Sequence, residues 1–193
     1  ISEEAYTVVT KQTKVLGKND SAAAPDENGE YWYVVNSTVA SDNNGLTITG
    51  KVNLILCDGA SAIYQFDTIS VTEGNELTIY GQENGTGILN CNTSNSSGAV
   101  GAGIGGDDVN PNAGKITING GTITAVTNST GAAIGGGTGQ VQPGGIGNVT
   151  INGGNVYAYN LRAVNTTVPA AAIGGGGSTT KRGNAGNVTI NGG

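Results

Sequence analysis

The first place to look for chemistry in this chain is the loop Asp107-Asp108-Val109-Asn110-Pro111-Asn112-Ala113-Gly114, where side-chain oxygens recur at Asp108, Asn110 and Asn112 with Asp107 beside them. Hard cations such as Ca²⁺ want several such oxygens, so these four residues form a candidate calcium site. The glycine comes one place late and no closing glutamate follows, which leaves a plain polar turn as the alternative. No cofactor is required by this pattern, and calcium is the one it admits. Adjacent aspartates also raise the question of acid–base hydrolysis, which needs clustered acids together with a residue that holds or activates the substrate. The chain has no histidine, and the nearest basic residue in sequence is Lys115. Solvated loop acids are the expectation, and no catalytic residue is assigned.

Aromatic rings offer a different chemistry, because a planar π face matches the apolar face of a pyranose. The candidates are Tyr31, Trp32, Tyr33, Tyr64, Tyr80, Tyr157 and Tyr159. Strand alternation places Tyr80 outward and one of Tyr157 and Tyr159 outward, and it forbids Tyr31, Trp32 and Tyr33 from all being buried. Tyr31, Tyr33, Tyr80 and Tyr159 are therefore candidate ligand contacts. The alternative has Trp32 plugging the N-terminal end while the tyrosines cover coil edges. Asn92, Asn95, Asn128 and Asn165 lie in loop sequons and are candidate glycosylation sites if the source modifies its exported proteins.

Composition limits what can position these groups. The 193 residues include 35 glycines, one Trp, one Phe and no Met, with 11% charged and 36% hydrophobic residues. A globular core normally needs more large apolar side chains, yet a disordered chain would be more charged and less β-branched. Stacked coils resolve the conflict, since backbone ladders then supply much of the order. The net charge is −6, with twelve of the fourteen acids in residues 1–100. Neither half has the basic, aromatic-interleaved surface that nucleic acid selects, and no apolar run reaches a membrane span. A start without Met or a signal peptide reads as a processed, exported product.

Internal repeats carry the architecture. Leu46-Thr-Ile-Thr-Gly50, Leu77-Thr-Ile-Tyr-Gly81, Ile116-Thr-Ile-Asn-Gly120, Val149-Thr-Ile-Asn-Gly153 and Val188-Thr-Ile-Asn-Gly192 recur at intervals of 31, 39, 33 and 39 residues. Constant strands with variable loops fit that spacing. A second column reads Val52–Cys57, Gly87–Cys91, Thr122–Ala125 and Asn155–Ala158, and a third reads Ala62-Ile63, Gly103-Ile104, Ala133-Ile134 and Ala172-Ile173. Three strands per coil predict a three-sided β-helix, with Leu46, Ile48, Leu77, Ile79, Ile116, Ile118, Val149, Ile151, Val188 and Ile190 inward and the intervening threonines outward. Cys57 and Cys91 then share a column on successive coils, where stacked Cα atoms lie about 4.8 Å apart. A disulfide and two buried thiols both fit, the latter because later coils place Ala125 and Ala158 there.

Segments like Gly101-Ala-Gly-Ile-Gly-Gly106 alternating with Val149-Thr-Ile-Asn-Gly-Gly154 resemble a family of secreted or surface repeat proteins from gut and anaerobic bacteria, adhesin-like or carbohydrate-binding β-helices. The resemblance covers residues 46–193 and implies surface location and a binding role. It supplies no site residues. Pectinases share the architecture, and Gly106-Asp107-Asp108 superficially resembles one polygalacturonase element, but the histidine-containing and Arg-x-Lys elements are absent.

The reading is an all-β, right-handed three-sided parallel β-helix over residues 46–193, with residues 1–45 as an N-terminal cap or strand-exchange segment. The expected function is non-enzymatic: an extracellular or cell-surface solenoid that binds a glycan or host-surface ligand. A filament subunit that self-associates through its solenoid ends is the alternative, because Val188–Gly193 forms an unfinished rung that either more chain or another copy would complete. An enzyme acting on acidic polysaccharide is the third.

Overall fold

Runs in which every second residue is aliphatic have the period of a strand, and the Gly and Asn-Gly pairs that end each run keep it short. The computed structural model describes residues 13–15, 26–42, 45–66, 68–94, 101–139, 143–145, 147–162, 170–178 and 181–193. Among them are seventeen strands and no helix: β1 (Thr13–Val15), β2 (Glu30–Val35), β3 (Thr38–Asp42), β4 (Leu46–Thr47), β5 (Lys51–Leu56), β6 (Ser61–Gln65), β7 (Ile69–Ser70), β8 (Glu76–Gly81), β9 (Ile88–Asn92), β10 (Ile104–Gly105), β11 (Lys115–Ile118), β12 (Thr122–Thr127), β13 (Ile134–Gly135), β14 (Asn148–Ile151), β15 (Asn155–Asn160), β16 (Ile173–Gly174) and β17 (Asn187–Ile190). The first sheet runs β1-β2-β5-β8-β11-β14-β17, the second β3-β6-β9-β12-β15 and the third β4-β7-β10-β13-β16. Every neighbouring pair is parallel. The chain thus visits the three sheets in turn, once per coil. It is a three-sided parallel β-helix.

The core is the stack of inward columns. In the first sheet Tyr33, Leu54, Ile79, Ile118, Ile151 and Ile190 lie in one register, and Tyr31, Val52, Leu77, Ile116, Val149 and Val188 in another. The middle members are sealed from solvent, and each fully buried aliphatic side chain contributes roughly 1.5–3 kcal/mol. Val188 and Ile190 keep the register but are 39% and 66% exposed, because β17 has a strand on one side alone. The expected burial of those two residues is corrected accordingly.

The structure also corrects three assignments of residues to columns. Leu46-Thr47 pairs with Ile69-Ser70 in the third sheet, whereas the rung preceding Leu77 in the first sheet is Val52–Leu56. Ala62-Ile63 sits opposite Leu89-Asn90 in the second sheet. Two alternating runs separated by Gly50 are interchangeable by pattern, and inward volume decides between them. Val52, Leu54 and Leu56 are all large enough to pack under Tyr31, Tyr33 and Val35, and Leu46-Thr47 makes a two-residue strand that suits the narrow third side. Third, Glu30–Asp42 is not a cap. β2, β3 and β4 make a complete coil, with β1 paired in front of it, so the solenoid crosses the expected boundary at residue 45.

Two outward features run along the first sheet. Glu30, Lys51, Glu76 and Lys115 form a column of alternating charge. At the opposite end of the strands Asn152 donates from Nδ2 to Asn119 Oδ1 at 2.8 Å, and Asn191 donates likewise to Asn152 Oδ1 at 2.8 Å. Loops are tied coil to coil in the same way. Asp58 Oδ1 accepts from the Thr86 N–H and hydroxyl, and Oδ2 accepts from the Asn84 N–H and side-chain amide. The Thr86 N–H is the main cause that holds the Asp58 carboxyl below the ordinary 3.8, with the other three donors adding to it. A lowered native pKa stabilises the fold above the unfolded-state value and loses that stabilisation as pH falls toward the native one. We therefore expect acid unfolding monitored by circular dichroism to lose stability below about pH 3.8, with a shallower decline in Asp58→Asn.

Candidate functional site

Sheet periodicity brings two aromatic side chains to one open surface. Tyr157 and Tyr159 are two residues apart on β15, so both point outward, not one of them as expected, while Val156 and Ala158 between and beside them face in. They are 46% and 48% exposed. In register beside them on β12 stand Thr124 and Val126, and beyond those, on β9, Asn90 and Asn92. The Asn90 side-chain oxygen is shielded from solvent and has no hydrogen-bond partner among the described residues. This face combines two phenol rings with hydroxyl and amide groups.

The other aromatic candidates are engaged in the fold. Tyr33 is buried in the core, and Tyr31 is half-buried and packs against it. Tyr80 is half-buried and stacks on Trp32, with ring centroids 5.8 Å apart and planes 22° from parallel. Burial first, and Glu30 second, push the Tyr80 hydroxyl above its ordinary 10.0. Trp32 does not plug an end. It lies outward on β2 and donates from Nε1 to Asp26 Oδ2 at 3.1 Å. Of the four tyrosines singled out by sequence, Tyr159 alone stands open to solvent.

A concavity lies where the chain turns from the third sheet into the first. Its volume is about 430 Å³, and its lining includes four glycines together with Glu73, Asn112 and Asn184 and with Glu76, Lys115 and Asn148. The last three residues open β8, β11 and β14, so adjacent coils supply them. Lys115 Nζ lies 3.5 Å from Glu76 Oε2, and Asn112 Nδ2 donates to Glu73 Oε2 at 3.0 Å. Sequence reasoning missed this groove because its residues are a coil apart. The available signal was the polar residue that precedes each repeat at Glu76, Lys115, Asn148 and Asn187.

No family model, no curated protein and no solved structure matches the chain.

In the Asp107 loop two of the four candidate ligands, Asp107 and Asn112, are engaged by hydrogen bonds of the fold. Asp107 Oδ1 accepts from the Val109 and Asn110 N–H groups at 3.0 and 2.6 Å, and Oδ2 accepts from the Ser70 hydroxyl at 2.8 Å. Asn112 reaches away to Glu73, and its Oδ1 accepts from the Gly145 N–H. Asp108 and Asn110 are exposed. Among the described residues no group of three or more metal-binding Cys, Asp or Glu side chains is assembled. Asp107 is the clamp of a polar turn. Of the sequon residues, Asn128 is exposed, whereas Asn92 is half-buried in β9 and its Oδ1 accepts from the Ser94 N–H. Asn95 and Asn165 lie outside the described residues.

Cys57 and Cys91 are not joined by a disulfide and lie in different columns. Cys91 pairs in register with Tyr64 and Ala125 on the second sheet, while Cys57 follows β5 at the end of the first. The shared column fails for the same reason as the Val52–Leu56 assignment. Cys91 is buried, and Cys57 is partly exposed with its thiol pushed above 9.0 by burial and then by Asp58. We expect iodoacetamide on the native protein to modify Cys57 and spare Cys91. The rate should be slow at neutral pH and rise as pH approaches and passes 9.0. Equal labelling, or none at Cys57 before reduction, would contradict this placement.

Proposed function

We propose that this chain is a non-enzymatic, extracellular or cell-surface solenoid that binds glycans on the outer face of its second sheet. The observation that carries the reading is the outward pair Tyr157 and Tyr159, about half exposed on one strand. Two rings roughly 6.6 Å apart along a strand offer apolar faces to successive sugars of an extended chain, with neighbouring hydroxyl and amide groups for the sugar oxygens. The alternating Gly-Ala-Gly-Ile-Gly-Gly and Val-Thr-Ile-Asn-Gly-Gly segments, similar to those of adhesin-like surface repeats, support the same reading. So does Asp107, whose two oxygens are occupied by three donors and so are poorly placed for acid–base work.

Co-sedimentation with insoluble polysaccharides, followed by a glycan array, tests the proposal. Each ring–sugar contact contributes about 1 kcal/mol, so the double variant Tyr157→Ala, Tyr159→Ala should lose roughly thirtyfold in affinity while its circular dichroism stays unchanged. Retention of the double variant on every polysaccharide that retains the parent would refute it.

A further inference from the structure

We propose that the groove between the third and first sheets is a second carbohydrate site, selective for a linear oligosaccharide that carries amino groups. It lies apart from the tyrosine face and shares with that reading only the class of ligand. Three observations lead there. The groove crosses successive coils, from Glu73 and Glu76 through Asn112 and Lys115 to Asn148 and then Asn184. Neighbouring strands are about 4.8 Å apart, so it extends about 14 Å along the solenoid axis, enough for a short extended chain.

Its hydrogen-bonding capacity is also partly unspent. Asn75 is fully used, accepting from the Gly50 N–H and donating to Thr72. Asn148 and Asn184 make no side-chain hydrogen bond among the described residues, and Glu73 receives one donor, on Oε2. Two amides and one carboxylate oxygen on the lining are therefore left for a ligand, the complement that a sugar's hydroxyl and amino groups need.

Charge selects among sugars. Within the lining Lys115 is the one cation beside Glu73 and Glu76, and it lies 3.5 Å from Glu76, which Lys51 flanks in register on the other side; Glu73 has no paired cation among the described residues. The lining is net negative in a chain of net charge −6. An ammonium group on the ligand would find Glu73 as its partner, whereas a uronic acid would meet repulsion.

Isothermal titration of the whole chain with linear tetrasaccharides of glucosamine, N-acetylglucosamine and galacturonic acid provides the test. The expected order is glucosamine, then N-acetylglucosamine, with no binding of galacturonate, and the glucosamine affinity should fall as salt is raised. Glu73→Gln should weaken glucosamine binding about three- to tenfold, and Asn148→Ala should weaken both amino sugars. Tyr157→Ala, Tyr159→Ala should leave all three values unchanged. Galacturonate binding as tight as glucosamine, unaltered binding in both groove variants, or no binding of any tetrasaccharide would overturn the site. Loss in the tyrosine variant alone would also overturn it while leaving the tyrosine face standing. Loss in the groove variants together with failure of the polysaccharide test would leave the groove and remove the tyrosine face.

Discussion

Gly105→Ala is expected to destabilise the solenoid by about 4 kcal/mol or more, which lowers the thermal midpoint by roughly 8–16 °C. Two causes act together. Gly105 has φ +143°, a conformation that side chains rarely adopt, and a methyl group there would overlap the carbonyl oxygen of Gly135 on the next coil. Gly135 and Gly174, in register above it, share the same backbone at φ 132° and 144°. The obstacle is backbone, which cannot move without breaking the third sheet's ladder. Gly29→Ala is the control: φ is +74°, but nothing lies within 4 Å of the new methyl group. That change should cost about 1–2 kcal/mol, the strain of the left-handed conformation alone. Thermal denaturation of the two variants side by side measures the difference, and equal midpoints would show that the third side yields more readily than its packing implies.

Ile118→Ala and Ile190→Ala occupy one inward column, so the same chemical deletion is placed at the centre and at the outermost strand of one sheet. Ile118 is fully buried between Ile79 and Ile151, and its truncation leaves a cavity that stacked coils on both sides cannot close. A cost of about 3–4 kcal/mol is expected. Ile190 is 66% exposed, and its truncation should cost less than about 1 kcal/mol. Chemical denaturation resolves the contrast. A large loss at Ile190 would mean that β17 is covered in solution.

The architecture was legible because Leu77-Thr-Ile, Ile116-Thr-Ile and Val149-Thr-Ile repeat both an alternation and a glycine stop, and the alternation alone decides which side faces in. Legibility ended where volume replaced pattern. Tyr31 and Tyr33 occupy positions that later coils fill with Leu, Ile and Val, so the first coil did not look like a coil. Leu46–Thr49 looked like a first-sheet strand although Val52, Leu54 and Leu56 fill that place. Candidate sites were harder still. The Asp107 loop had the right ligand types, but hydrogen bonds to Ser70 and to its own turn are contacts that spacing along the chain does not encode. Glu73, Asn148 and Asn184 meet only because coils stack, and nothing in their local sequence marks them as neighbours.

The ladder of asparagine side chains on the first sheet gives the solenoid a net dipole sense along its axis that the backbone ladder largely lacks. Along a strand, peptide groups point alternately up and down the stack, so their dipoles largely cancel along the axis. The amides of Asn191 and Asn152 donate the same way, each Nδ2 to the Oδ1 of the asparagine on the preceding coil, Asn152 and Asn119 in turn. Their dipoles add, and each bond polarises the next. Asn191 is left with an acceptor oxygen at one extremity and Asn119 with donor hydrogens at the other, beside the coil where Tyr80 interrupts the column. An amide strip that ends in opposite chemical senses distinguishes the two directions along the axis for anything that lies lengthwise upon it.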